Sequence, residues 1–188
     1  MTAKILAGAT NGLGALAGLF VEFIPADADS AVQADLTKLH GDIQQSASDL
    51  KGLTSADRAT LRKDLAGIQS AIKGMSSTLA PLQATFKTDA ATWNATLRAD
   101  KKAIRKDRND ATALAADKAQ LLTDQGAAFT ALAGDAGAIL TAINGNSGVE
   151  AAQQQLATDL PTIAADQTTL TTDVTQLVTD IESQFSAE

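Results

Sequence analysis

The sequence predicts an all-α fold: an elongated, mostly antiparallel helical bundle of four to six helices with coiled-coil-like heptad seams. Three observations carry that expectation. From Leu156 onward apolar residues recur at alternating steps of three and four, at Leu160, Ile163, Leu170, Val174, Leu177, Ile181 and Phe185, with Gln167 the one polar break. A helix with such a stripe must bury it against other helices. No useful stretch alternates with period two, and the three prolines (Pro25, Pro81, Pro161) lie far apart, so strands are not expected. Aromatic residues are only 3% of the 188 residues. Leu, Ile, Val and Ala must therefore form the core, which suits close helix packing better than a pocket.

The elements follow in chain order. Residues 5–24, ILAGATNGLGALAGLFVEFI, are apolar over about the length of a membrane span. Gly8 and Gly12, then Gly14 and Gly18, have the spacing that lets helix backbones approach closely. The segment 1–26 reads as a signal peptide, with Lys4 ahead of the apolar run and Ala26-Asp27-Ala28 as the cleavage motif. It reads equally as a glycine-rich core or assembly helix, and a membrane-inserting segment is a third reading. Residues 27–188 form the bundle, with helices expected at about 30–52, 54–80, 82–125, 127–144 and 147–186.

Ser30 with Gln33 forms a capping box that opens the first of these. Its seam is Val32, Leu36, Leu39, Ile43, Leu50 and Leu53, and Gly52 ends it. Thr54 with Asp57 caps the next, whose seam runs Leu61, Leu65, Ile68, Ile72, Met75, Leu79 and Leu82. The short turn between them predicts antiparallel neighbours. Gly74 to Pro81 marks a kink or a second turn. Leu82, Phe86, Trp93, Leu97 and Ile104 carry the apolar face onward. Over residues 98–118 basic side chains replace half of the seam, and the repeat loses register between Asp107 and Asp110. Residues 126–143 are rich in Ala and Gly, and are expected to pack on residues 5–24. Asn144-Gly145-Asn146 is the clearest turn, and Ser147 with Glu150 caps the last helix.

An acidic residue flanks the seams repeatedly. Asp159, Asp166, Asp173 and Asp180 stand seven apart, and Asp35, Asp42 and Asp49 repeat the pattern. Carboxylates two helical turns apart are roughly 10 Å distant, too far to share a cation, so the expectation is a solvated flank. The texture resembles that of alanine-rich coiled-coil proteins of bacteria.

Charge is segregated. The chain carries −7 overall; residues 51–118 are net +6, and residues 119–188 contain nine acidic residues and no Lys or Arg. The expectation is that residues 147–186 lie along the basic 51–118 segment. The acidic balance argues against nucleic-acid binding. The absence of cysteine excludes disulfides and thiolate metal sites.

No catalytic, cofactor-binding or metal-ligating residue is assigned. His40, the one histidine, reads as a seam-edge side chain, and Trp93 as a packing anchor. Arg98, Lys101, Lys102, Arg105, Lys106 and Arg108 read as a solvated or ion-paired run. No phosphate loop, nucleophile motif or metal motif occurs. The expected function is non-enzymatic: a structural or interaction protein, exported to an extracytoplasmic location (secreted, periplasmic or cell surface), that associates with itself or another helical protein. The alternative is a membrane-active protein inserting residues 5–24 and the 126–143 segment.

Overall fold

The computed structural model describes residues 30–186, which form six α-helices and, among the described residues, no strand. They are α1 (Ser30–Gly52), α2 (Ser55–Gly74), α3 (Ser76–Lys106), α4 (Ala111–Asn144), α5 (Ser147–Asp159) and α6 (Pro161–Ser186). The hydrophobic segment 5–24, its cleavage motif and its packing on residues 126–143 lie outside the described residues.

The topology is nested. α3 and α4 form the innermost antiparallel hairpin, α2 takes α5, and α1 takes α6. α6 also packs on α4, which closes α1, α3, α4 and α6 around the main core. Val32, Leu97, Phe129, Leu132, Val174, Leu177 and Ile181 fill that core, with Phe86, Trp93 and Phe185 at its edge. A second cluster joins Leu61 and Ile68 of α2 to Leu156 and Leu160 of the α5 end and Ile163 of α6. A third, of Met75, Leu79 and Val149, sits where the α2–α3 and α4–α5 junctions meet.

Each helix end has a local cause, and several differ from the sequence expectation. Thr54 and Asp57 form the expected capping box. The short turn does not fold α2 back on α1, however: α1 and α2 form no packed pair, because their seams face α6 and α5. α2 ends at Gly74 and α3 starts at Ser76, so the break lies at Met75 and not at Pro81. Pro81 is accommodated inside α3 near its start, where it is exposed.

The expected helix over 82–125 is two helices. Asp107–Asp110 is the hairpin turn, and Asp110 caps α4 by accepting hydrogen bonds from the amides of Thr112 and Ala113. Gly126 is no break. It lies inside α4, buried, where a side chain would meet Phe185 of α6 at 3.0 Å. The glycine is there for the close approach of two helices.

Asn146, and not Ser147, caps α5, accepting from the amides of Gly148 and Val149. The expected single helix 147–186 is interrupted at Leu160, since Pro161 both disfavours helical geometry in the residue before it and suits the first helical position.

Candidate functional site

The aspartates expected on solvated flanks face one another between helices. Across α1 and α6 they form a ladder in one antiparallel register: Asp35 opposite Asp180, Asp42 opposite Asp173, Asp49 opposite Asp166. Each rung is a seven-residue step on both helices. Across α2 and α5, Asp64 faces Asp159. Across α3 and α4, Asp89 faces Asp135 and Asp100 faces Asp124, an eleven-residue step on both helices. Seven and eleven residues are whole numbers of turns to within a fraction of a residue, so an acid repeated at either interval returns to the same seam.

Burial follows from that placement. Asp64 is 4% exposed, Asp173 5%, and Ser46, on the α1 seam, 3%. Ile43, expected in that seam, is 50% exposed. The α1 seam therefore runs through Val32, Asp35, Leu36, Leu39, Asp42, Ser46, Asp49 and Leu50, mixing apolar and polar contacts, with Ile43 on the outside. The two repeats differ by a single position, and the stripe reading selected the wrong one at Ile43.

Few donors serve these carboxylates. Lys38 of α1 pairs with Asp173 across the seam and with Asp42 on its own helix at 3.2 Å. The buried oxygens of Asp35, Asp100, Asp117, Asp135, Asp166 and Asp173 include one atom each with no hydrogen-bond donor, and Asp64 has two. Burial pushes the carboxyls of Asp35, Asp64, Asp100, Asp135 and Asp166 above the usual carboxylate range, and the facing acid adds to the effect in each case. Asp42 moves the other way, held down by its contact with the Asp173 carboxyl and by the Lys38 ammonium.

No Lys or Arg of residues 51–118 forms an ion pair with an acid of 119–186 among the described residues. α5 does lie along the basic segment, through α2, but α6 packs chiefly on α1. The expectation for 147–186 therefore fails for α6, because register and shape set its pairing while the attraction between exposed opposite charges is weak. Arg98, Lys101, Lys102, Arg105, Lys106 and Arg108 are all exposed, at the α3 end and the hairpin turn. His40 is exposed on α1, 2.8 Å from Gln44. Trp93 is half-buried against the main core, as a packing anchor. Among the described residues no three acids or histidines converge in a way that would hold a metal ion.

A second feature is the outward side of α4. Thr123, Ala127, Thr130, Gly134, Ala138 and Thr141 are exposed along it, and none is charged. α4 is as long and apolar as a membrane-crossing helix, yet only 28% of its most apolar stretch is buried. A shallow cavity of about 300 Å³ opens beside it, lined by Leu122, Gly126, Ala127, Thr130 and Phe185. Comparison with protein-family models, curated proteins and solved structures finds no match.

Proposed function

We propose that the protein is a non-enzymatic structural or interaction protein, exported from the cytoplasm, that associates through helical faces with itself or with another helical protein. The observation that supports this reading most is the side of α4 that no other described helix covers. An apolar helix in a bundle of this size ordinarily sits at the centre, but α4 leaves an uncharged stripe of small residues open to the outside. Small residues at this spacing allow another helix to approach closely and bury area without losing side-chain entropy. Among the described residues the buried carboxylates lie between the chain's own helices, which suits a structural role for them.

Native mass spectrometry and sedimentation velocity on the full chain, over a wide concentration range and at low and high salt, test this reading. Wild type is expected to oligomerise, and Ala127→Arg with Ala138→Arg to weaken the oligomer while leaving the helix content unchanged. A monomer under every condition overturns it. The length and apolarity of α4 also support a second reading, in which α4 and residues 5–24 enter a lipid bilayer. Leakage from anionic liposomes by the full chain, and by a form lacking residues 1–26, distinguishes the two. No leakage from either form ends the membrane reading.

A further inference from the structure

We infer that the paired aspartates are proton sites that fasten the helix seams in mild acid and loosen them towards neutrality. The argument starts from geometry. All three antiparallel pairs (α1–α6, α2–α5 and α3–α4) bring an aspartate opposite another in register. Asp64 is 4% exposed with both carboxyl oxygens lacking a donor. An ionised carboxylate so placed loses its hydration and gains nothing in return. A single proton cures this. It removes one of two facing like charges, and at Asp35, Asp100 and Asp135, which lie within hydrogen-bonding reach of Asp180, Asp124 and Asp89, it turns one carboxyl into a donor for the other. A cation could do the same, but among the described residues no group of three or more acids or histidines is placed to hold one, and the proton needs only the two acids present.

The charged surroundings agree at each site. Asp35 faces Asp180 and Asp173 of α6, with Lys38 of its own helix opposing. Asp64 faces Asp159 of α5, with Lys63 beside it. Asp100 faces Asp124 and Asp117 of α4, and Asp135 faces Asp89 of α3. Asp166 faces Asp49 and Asp42 of α1, and Ser46 there donates a hydrogen bond that favours its charged form.

The direction of linkage follows. These five acids bind a proton more tightly when folded than the ordinary 3.8 allows. Their contribution is fully present below that value and is lost as pH rises through the raised values. Asp42 runs oppositely: its contribution is present above 3.8 and lost as pH falls through its lowered value. Stability is therefore greatest in mild acid, above the range where Asp42 and Lys38 are uncoupled, and declines towards neutral pH.

The test uses the full chain at low protein concentration. Thermal unfolding followed by circular dichroism is expected to give a Tm higher by about 2 °C or more at about pH 4, close to the ordinary 3.8, than at about pH 7. The gain is expected to persist at about 0.5 M salt, which screens general surface repulsion but not buried pairs. Titration of the native and the denaturant-unfolded chain should show the native form holding more protons through this range. The variant carrying Asp35→Asn, Asp64→Asn, Asp100→Asn, Asp135→Asn and Asp166→Asn presents a neutral side chain at five of the six pairs and leaves Asp42–Asp173 unchanged. It is expected to match the acid-form stability at about pH 7 and to lose the pH dependence. Should that variant fail to fold, the proton count on wild type still decides. A Tm that falls or stays level on acidification, a gain abolished by salt, or equal proton binding by native and unfolded chains overturns the inference.

Discussion

Replacing glycine by alanine at two positions of one helix tests the close approach of α4 to α6. Alanine is favoured over glycine inside a helix by about 0.8–1.0 kcal/mol, so both changes begin with the same gain. At Gly134 the new Cβ meets nothing within 4 Å, and the gain stands. At Gly126 it lies 3.0 Å from Cβ, 3.1 Å from Cγ and 3.2 Å from Cδ1 of Phe185. Phe185 is itself tilted against Phe129, with ring centroids 6.2 Å apart, and Phe129 is 1% exposed. The ring must shift to admit the new methyl, and overpacking of this kind costs about 1–3 kcal/mol. Gly134→Ala is therefore expected to stabilise by about 1 kcal/mol, and Gly126→Ala to be neutral or to destabilise by up to about 2 kcal/mol. For a chain of this length each kilocalorie moves Tm by about 2–4 °C. Urea denaturation at low protein concentration, where association contributes nothing, measures both. Equal stabilisation by the two substitutions would refute the α4–α6 approach described here.

Leu177→Ala, at a core position with 0% exposure, is expected to cost about 2.7–5 kcal/mol, and Ile43→Ala to stay within about 0.5 kcal/mol; equal losses in denaturant unfolding would restore Ile43 to the seam. Thr54→Ala removes the hydroxyl that caps α2 and is expected to cost about 1 kcal/mol by the same measurement. Lys38→Met leaves Asp173 without its cross-helix cation. It is expected to lower Tm at neutral pH, with the deficit shrinking as pH falls through the lowered Asp42 value; a deficit independent of pH would show that Lys38 acts through packing alone.

Periodicity made the fold class and most of the core legible. Leu61, Ile68, Leu156, Ile163, Val174, Leu177 and Ile181 are buried where their spacing places them. The ends of helices were less legible, because a three-and-four repeat runs through a tight turn unbroken. At Asp107–Asp110 the loss of register was visible, and it marks the hairpin turn itself. At Gly126 a residue type associated with breaks marks a close contact instead, and only the partner, Phe185, explains it. The site was misread for a related reason. An aspartate one residue from an apolar row is a solvated flank if its helix has one neighbour in the expected direction, and a seam residue if the helix turns by a third of a turn. Sequence carries the interval, while the rotation is set by the opposing helix. A matching eleven-residue interval at Asp89–Asp100 and Asp124–Asp135 was nevertheless present in the sequence as a signal of facing acids.

Nesting has a consequence for how the chain acquires its structure. The α3–α4 hairpin joins residues close in sequence and can close early, whereas α1 must wait for α6, its partner from the far end of the chain. During synthesis α1 emerges early with its seam uncovered, and it stays so until the final helix has been made. Loss of α6 would accordingly strand α1 and strip Val174, Leu177 and Ile181 from the main core, so a cut near Leu160 also uncovers the face of the α3–α4 hairpin that they pack on. Hydrogen exchange should reveal this as shared, low protection of α1 and α6 beside a slower-exchanging α3–α4 pair.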